Sequence, residues 1–166
     1  MTDRTEALEK LLSVFHRYYN IEREKPAEPF AAEAAFHEHN ENYVFTKRVK
    51  IGEQDTNEYV FFALAETLTP QNYDIFKERA WEEGLSRAVI GENHRNSDIS
   101  LYILADRIDP EAGKLIEKSR LSKTYRFGFR GYSHYRVIAY DLSSGKYVHN
   151  YMGHLLAKTI RNVFPE

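Results

Sequence analysis

Glu66 and Asp106 are the first residues whose placement suggests chemistry. Each follows an apolar run that reads as a buried strand, Tyr59 to Ala65 before one and Ile99 to Ala105 before the other. In open sheets with parallel strands, ligands collect beyond the carboxyl ends. Two carboxylates meeting there could share a hard divalent cation and activate a water, so they are the candidate catalytic pair of a metal-dependent hydrolase. The same placement also describes polar residues leaving the core, solvated or bonded to the free amides of the next helix. His37-Glu38-His39 is a second constellation. Residues two apart in a strand share a face, so His37 and His39 could grip one zinc or another borderline metal. A third ligand would have to come from His94, His134 or His149, and no spacing selects among them. A solvent-facing strand end explains the pair equally, and no cofactor is assigned.

A third signal is electrostatic. Between Lys114 and Arg136 stand seven cations and a single acid, Glu117, a net +6 in a chain whose total is −2. In extended conformation Tyr125, Phe127 and Phe129 share one face, and Arg126 and Arg130 share the other. Cations that neutralise phosphates, beside aromatic platforms that stack bases, are the design of a single-stranded nucleic-acid site. Lys123, Arg126, Arg130 and Arg136 are therefore the expected nucleic-acid contacts. The alternation suits a half-buried strand as well, its arginines paired with the acid-rich remainder of the chain or of a second copy. In that case the protein is a homodimeric interaction module.

These residues need a scaffold, and the composition supplies one. The chain has 166 residues, 42% hydrophobic and 29% charged, which suits one globular domain over 1–166. With no cysteine there is no disulfide, thiolate ligand or cysteine nucleophile. Tyr59–Ala65 is far shorter than the ~20 apolar residues of a membrane span. The polar start, Met1 to Glu6, lacks the apolar segment of a signal peptide, and the expected setting is cytoplasmic. The eight glycines form no Gly-x-Gly-x-x-Gly loop, and neither Gly-x-Ser-x-Gly nor His-Glu-x-x-His occurs.

Leu8, Leu11, Leu12, Phe15 and Tyr18 or Tyr19 make the stripe of a first helix, capped by Asp3 and Glu6 and ending near Asn20. The two prolines of residues 22–29 hold that stretch as a charged loop. A short strand is expected at 35–39, another over 43–51, turn chemistry at 52–56, and a central strand at Tyr59–Ala65. Thr69-Pro70 starts a helix that buries Tyr73, Phe76 and Ala80, with Gly84 placed to close it. Residues 91–98 read as a polar loop and 99–105 as a second buried strand. Asp109-Pro110 opens a short helix with Leu115 and Ile116 inward. Tyr125–Leu142 reads as a long strand broken by Gly128 and Gly131, turning at Ser144-Gly145 into residues 147–151. A last helix carries Leu155, Leu156, Ile160 and Val163. The expected fold is a single α+β or α/β domain. Its central mixed sheet has antiparallel strands plus one parallel crossover and is flanked by helices, with a C-terminal β-hairpin and helix.

Two resemblances follow. Across most of its length the chain resembles a bacterial family known only as a domain of unknown function. The stretches that carry this are Asn57-Glu58-Tyr59-Val60-Phe61-Phe62-Ala63, Ala80-Trp81-Glu82-Glu83-Gly84-Leu85-Ser86-Arg87 and Gly131-Tyr132-Ser133-His134-Tyr135-Arg136. It implies no activity, cofactor or substrate. The element order (helix, antiparallel strands, helix, parallel strand) is also similar to the restriction-endonuclease-like core. Nucleases of that fold hold a divalent metal with an acid and a Glu-x-Lys or Asp-x-Lys pair. Phe61-Phe62-Ala63-Leu64-Ala65-Glu66-Thr67 has no lysine two residues after an acid, which implies a degenerate site. The reading that combines these signals is a nucleic-acid-associated binding protein rather than an enzyme.

Overall fold

The longest apolar segments form the middle of a seven-stranded mixed sheet in the computed structural model, which describes residues 3–37, 55–88, 94–124 and 132–165. The strands are β1 (Asn20–Glu22), β2 (Ala32–His37), β3 (Asp55–Leu68), β4 (His94–Ile108), β5 (Ser122–Thr124), β6 (Tyr132–Asp141) and β7 (Lys146–His149). Their order is β1-β2-β3-β4-β6-β5, with β7 also against β6. β3, β4 and β6 run parallel, and the other pairings are antiparallel. The helices are α1 (Arg4–Leu12), α2 (Pro70–Arg87), α3 (Pro110–Lys118) and α4 (Ala157–Val163), the last continuing a 3-10 turn at Met152–Leu156. This is the expected α+β domain, with a second parallel pair, β4–β6, in addition to the crossover between β3 and β4.

β3 and β4 are apolar on both of their alternating faces because both faces are covered. Tyr59, Phe61, Ile99, Leu101 and Ile103 pack beneath α2 and α3, against Tyr73, Phe76 and Ile116. Val60, Phe62, Tyr102 and Leu104 pack beneath α1 and α4, against Leu8, Leu11, Phe15 and Ile160. The helix starts follow their sequence signals. The Asn72 amide donates to Thr69 Oγ1 at 3.1 Å, and the Thr69 amide donates back to Asn72 Oδ1 at 2.7 Å, with Pro70 in the first turn. Asp3 caps α1 by accepting from the Thr5 amide at 3.1 Å. At the C-terminal hairpin Gly145 takes φ +75°, and Asp141 Oδ1 accepts the amides of Ser143 and Ser144.

Several expectations are corrected. α1 ends at Leu12, not near Asn20. The amides of Val14 and Phe15 bond three residues back, to Leu11 and Leu12, and this tight turn releases Tyr19 to Ile21 toward the edge strand β1. Gly84 does not close α2, which runs on to Arg87. A Cβ at Gly84 would stand 2.6 Å from the Ile99 side chain, so glycine serves close helix–sheet approach. Residues 94–98 belong to β4 rather than a loop, since Asn96, Ser97 and Asp98 are in register with both β3 and β6. On α3, Ala112 and Ile116 point inward and Leu115 is exposed. The expected strand over 43–51, and residues 125–131, lie outside the described residues.

Candidate functional site

At the carboxyl ends of β3 and β4, Ala65 faces Ala105 and Thr67 faces Arg107. Glu66 and Asp106 therefore sit at the same level on neighbouring strands, on the α1 face. Arg4 of α1 forms an ion pair with Asp106, both side chains about one third exposed (32% and 30%). The described residues contain no group of three metal-ligating side chains placed to hold an ion. His37 has a described backbone only, opposite Asn57 in β2–β3, and His39 lies outside the described residues.

A denser polar centre lies on the same face at the opposite, amino ends of the strands. The register aligns Glu58, Asp98 and His134 in one row across β3, β4 and β6, and Val60, Ser100 and Arg136 in the next. Arg136 Nη2 donates to Glu58 Oε2, Arg136 Nε donates to Ser100 Oγ at 3.0 Å, and Ser100 Oγ donates to Glu58 Oε2 at 2.6 Å. The Tyr19 hydroxyl donates to Glu58 Oε1. Both members of the ion pair are only 12% exposed, and Arg136 Nη1 lies 3.9 Å from Asp98 Oδ2. Burial works against the Arg136 charge, but Glu58 and Asp98 outweigh it and raise its pKa. Burial raises the Asp98 carboxyl, with Arg136 opposing and Glu58 adding to the shift. Burial, reinforced by Glu58, likewise keeps the hydroxyls of Tyr19 and Tyr102 protonated well above the ordinary tyrosine range. A cavity of about 280 Å³ opens onto this centre between α1 and α4, with Phe15, Tyr19 and Tyr102 as aromatic walls.

The basic segment forms a different surface. Lys114, Lys118, Arg120 and Lys123 are exposed along α3 and β5. Beside them a groove of about 270 Å³ runs between Ser119–Ser122, His134 and Tyr151. Tyr151 is 64% exposed, and the Arg120 guanidinium sits 5.5 Å over its ring. Tyr132, also exposed, packs its ring 4.4 Å from that of His134. The groove wall is tied together by one buried side chain. Asn150 Oδ1 accepts the amides of Val137 and Gly153, and its Nδ2 donates to the carbonyls of Ser119 and Tyr135. Beneath it the Tyr73 hydroxyl joins Ser119 and Tyr135; its own burial, outweighing those two bonds, pushes its pKa up to about 12.

A family model described as Domain of unknown function (DUF8052) matches residues 3–162. The chain belongs to that family. No curated protein and no solved structure matches it. The matched span of the DUF8052 domain runs from α1 to α4 and so includes both the polar centre and the groove.

Of the expected nucleic-acid contacts, Lys123 is exposed on edge strand β5, and Arg126 and Arg130 lie outside the described residues. Arg136 is not a solvent-facing cation: it is turned to the α1 face and held by Glu58. Sequence reasoning missed Glu58, Asp98 and Ser100 altogether. Their one signal was polarity, at Glu58 and Asp98 just before apolar runs and at Ser100 inside one, which any strand entering a core also shows.

Proposed function

We propose that this DUF8052 domain binds single-stranded nucleic acid along the β5 groove, in the cytoplasm of a bacterial cell. The observation that carries the reading is Tyr151, an exposed ring under the Arg120 guanidinium, with Lys118 and Lys123 exposed on either side of Arg120 in sequence. The ring offers a stacking platform, and the cations offer phosphate neutralisation. Lys123 leads in sequence to Arg126 and Arg130, which extend the same charge. Arg136 contributes to the fold of β6 rather than to phosphate contact. β3 carries no Glu-x-Lys or Asp-x-Lys pair, which supports binding on a degenerate endonuclease-like core rather than cleavage.

The test is titration of labelled single-stranded DNA, duplex DNA and RNA at about 50 and 200 mM salt. Neutralising about four phosphates of a single strand gives a log–log salt slope near −3. Tyr151→Ala should weaken single-strand binding about tenfold, the loss of one stacked base. Arg126→Glu with Arg130→Glu should abolish it and leave the fold intact. No binding at low salt, or unchanged affinity in both variants, refutes the reading. A salt-sensitive dimer without nucleic-acid binding would instead favour pairing of the basic edge with the acidic body of a second copy. The hydrolase reading at Glu66 and Asp106 has less support, because Arg4 already neutralises Asp106.

A further inference from the structure

The cavity between α1 and α4 shares no lining residue with the β5 groove, and its floor has hydrogen-bonding capacity left over. Among the described residues Arg136 Nη1 makes no hydrogen bond; its nearest acidic oxygen is 3.9 Å away. Glu58 Oε2 accepts from both Ser100 and Arg136, while among the described residues Oε1 accepts only from Tyr19. A carboxylate oxygen has room for two donors. An open donor and an open acceptor therefore remain on two lining residues that already balance each other's charge. The walls mix flat aromatic and polar groups: Phe15, Tyr19 and Tyr102 supply ring faces, Thr159 and Asn162 add polar side chains, and Val14 and Leu155 are each 51% exposed.

We propose that this cavity is a binding site for a small, flat, uncharged organic molecule whose head presents a hydrogen-bond acceptor next to a donor, as a carboxamide or lactam edge does. Its acceptor takes the hydrogen of Arg136 Nη1, its donor reaches Glu58 Oε1, and its ring lies between the aromatic wall and Leu155. An anionic head would face Glu58 and Asp98 at once, and a cationic head would face the Arg136 guanidinium, so a net charge of either sign is disfavoured. Aromatic walls joined to a few convergent polar groups in a concavity are a usual form of a small-molecule site.

Three probes of one shape separate the possibilities: benzamide, benzoate and benzylamine, titrated into the intact protein and followed by protein-detected NMR. Benzamide is expected to give saturable shifts at the Thr159 and Asn162 amides, with a Kd at least tenfold below those of the two charged probes. Leu155→Trp, a change at an exposed position that fills the rim, should weaken benzamide at least tenfold in a protein with an unchanged melting temperature. Absence of saturable shifts with benzamide overturns the proposal. Equal or tighter binding of benzoate or benzylamine overturns the uncharged head, and benzamide affinity that survives Leu155→Trp overturns the location.

Discussion

The two ends of the parallel strands carry polar side chains on the same sheet face, yet they are built differently. At the carboxyl ends, Glu66 is exposed and Asp106 meets one arginine in partial solvent. At the amino ends, Glu58, Ser100 and Arg136 bond one another in a buried triangle, Tyr19 closes it from the residue just before β1, and a cavity opens above. Position at a strand's end does not make a site. Desolvation does, because low dielectric strengthens every interaction there and makes each unfilled valence costly. The amino-end centre also depends on four segments far apart in sequence, whereas the carboxyl-end pair follows from two strands and one helix.

Substitution should expose this contrast most strongly at the ion pairs. Arg136→Ala leaves Glu58 buried without its cation and should destabilise the fold by about 3–5 kcal/mol. Arg4→Ala should cost less than about 1 kcal/mol, since its partner remains solvated. Urea denaturation of the two variants decides it, and similar losses would mean the two ends are electrostatically equivalent. Packing around β4 provides the next largest difference. Gly84→Ala forces a methyl into Ile99 at the amino end and should cost about 1–3 kcal/mol. Gly113→Ala, on α3 after the carboxyl end, meets nothing within 4 Å and should instead stabilise by about 0.5–1 kcal/mol. Melting temperatures that move in the same direction for both would contradict the tight and open packing described.

The smallest expected effect is the pH response of Asp98. Its carboxyl titrates above the ordinary aspartate range, chiefly through burial. The folded protein thus binds this proton more tightly than the unfolded chain, and stability falls as pH rises through the raised value. Asp98→Asn should therefore raise the melting temperature at pH 7, with the gain vanishing below about pH 4, where both states are protonated. A gain that persists at acid pH would assign the effect to something other than the carboxylate.

Legibility in the sequence followed the range of the interactions. Thr69-Pro70 announced α2 through a cap decided within four residues, and Asp109-Pro110 announced α3 through proline in the first turn, since Asp109 makes no side-chain cap bond. Tyr59–Ala65 and Ile99–Ala105 announced paired central strands because apolarity on both faces demands cover on both. The residues that misled were those governed by distant partners. Gly84 looked like a helix end, but its requirement is the Ile99 side chain of β4. Leu115 fitted an inward stripe on α3, yet Ala112 and Ile116 fill the space. Arg136 read as one more cation in a basic run, and Glu58, 78 residues away in sequence, holds it.

The sequence by itself determined the α+β class, the mixed central sheet, the helix starts and the uneven charge, since each depends on periodicity, capping chemistry or composition. Only the tertiary structure decided which polar residues form a centre. The register across β3, β4 and β6 brings Glu58, Ser100 and Arg136 within hydrogen-bonding distance, and the ion pair is left only 12% exposed. Pairing across a sheet is fixed by long-range packing, and no local spacing encodes it.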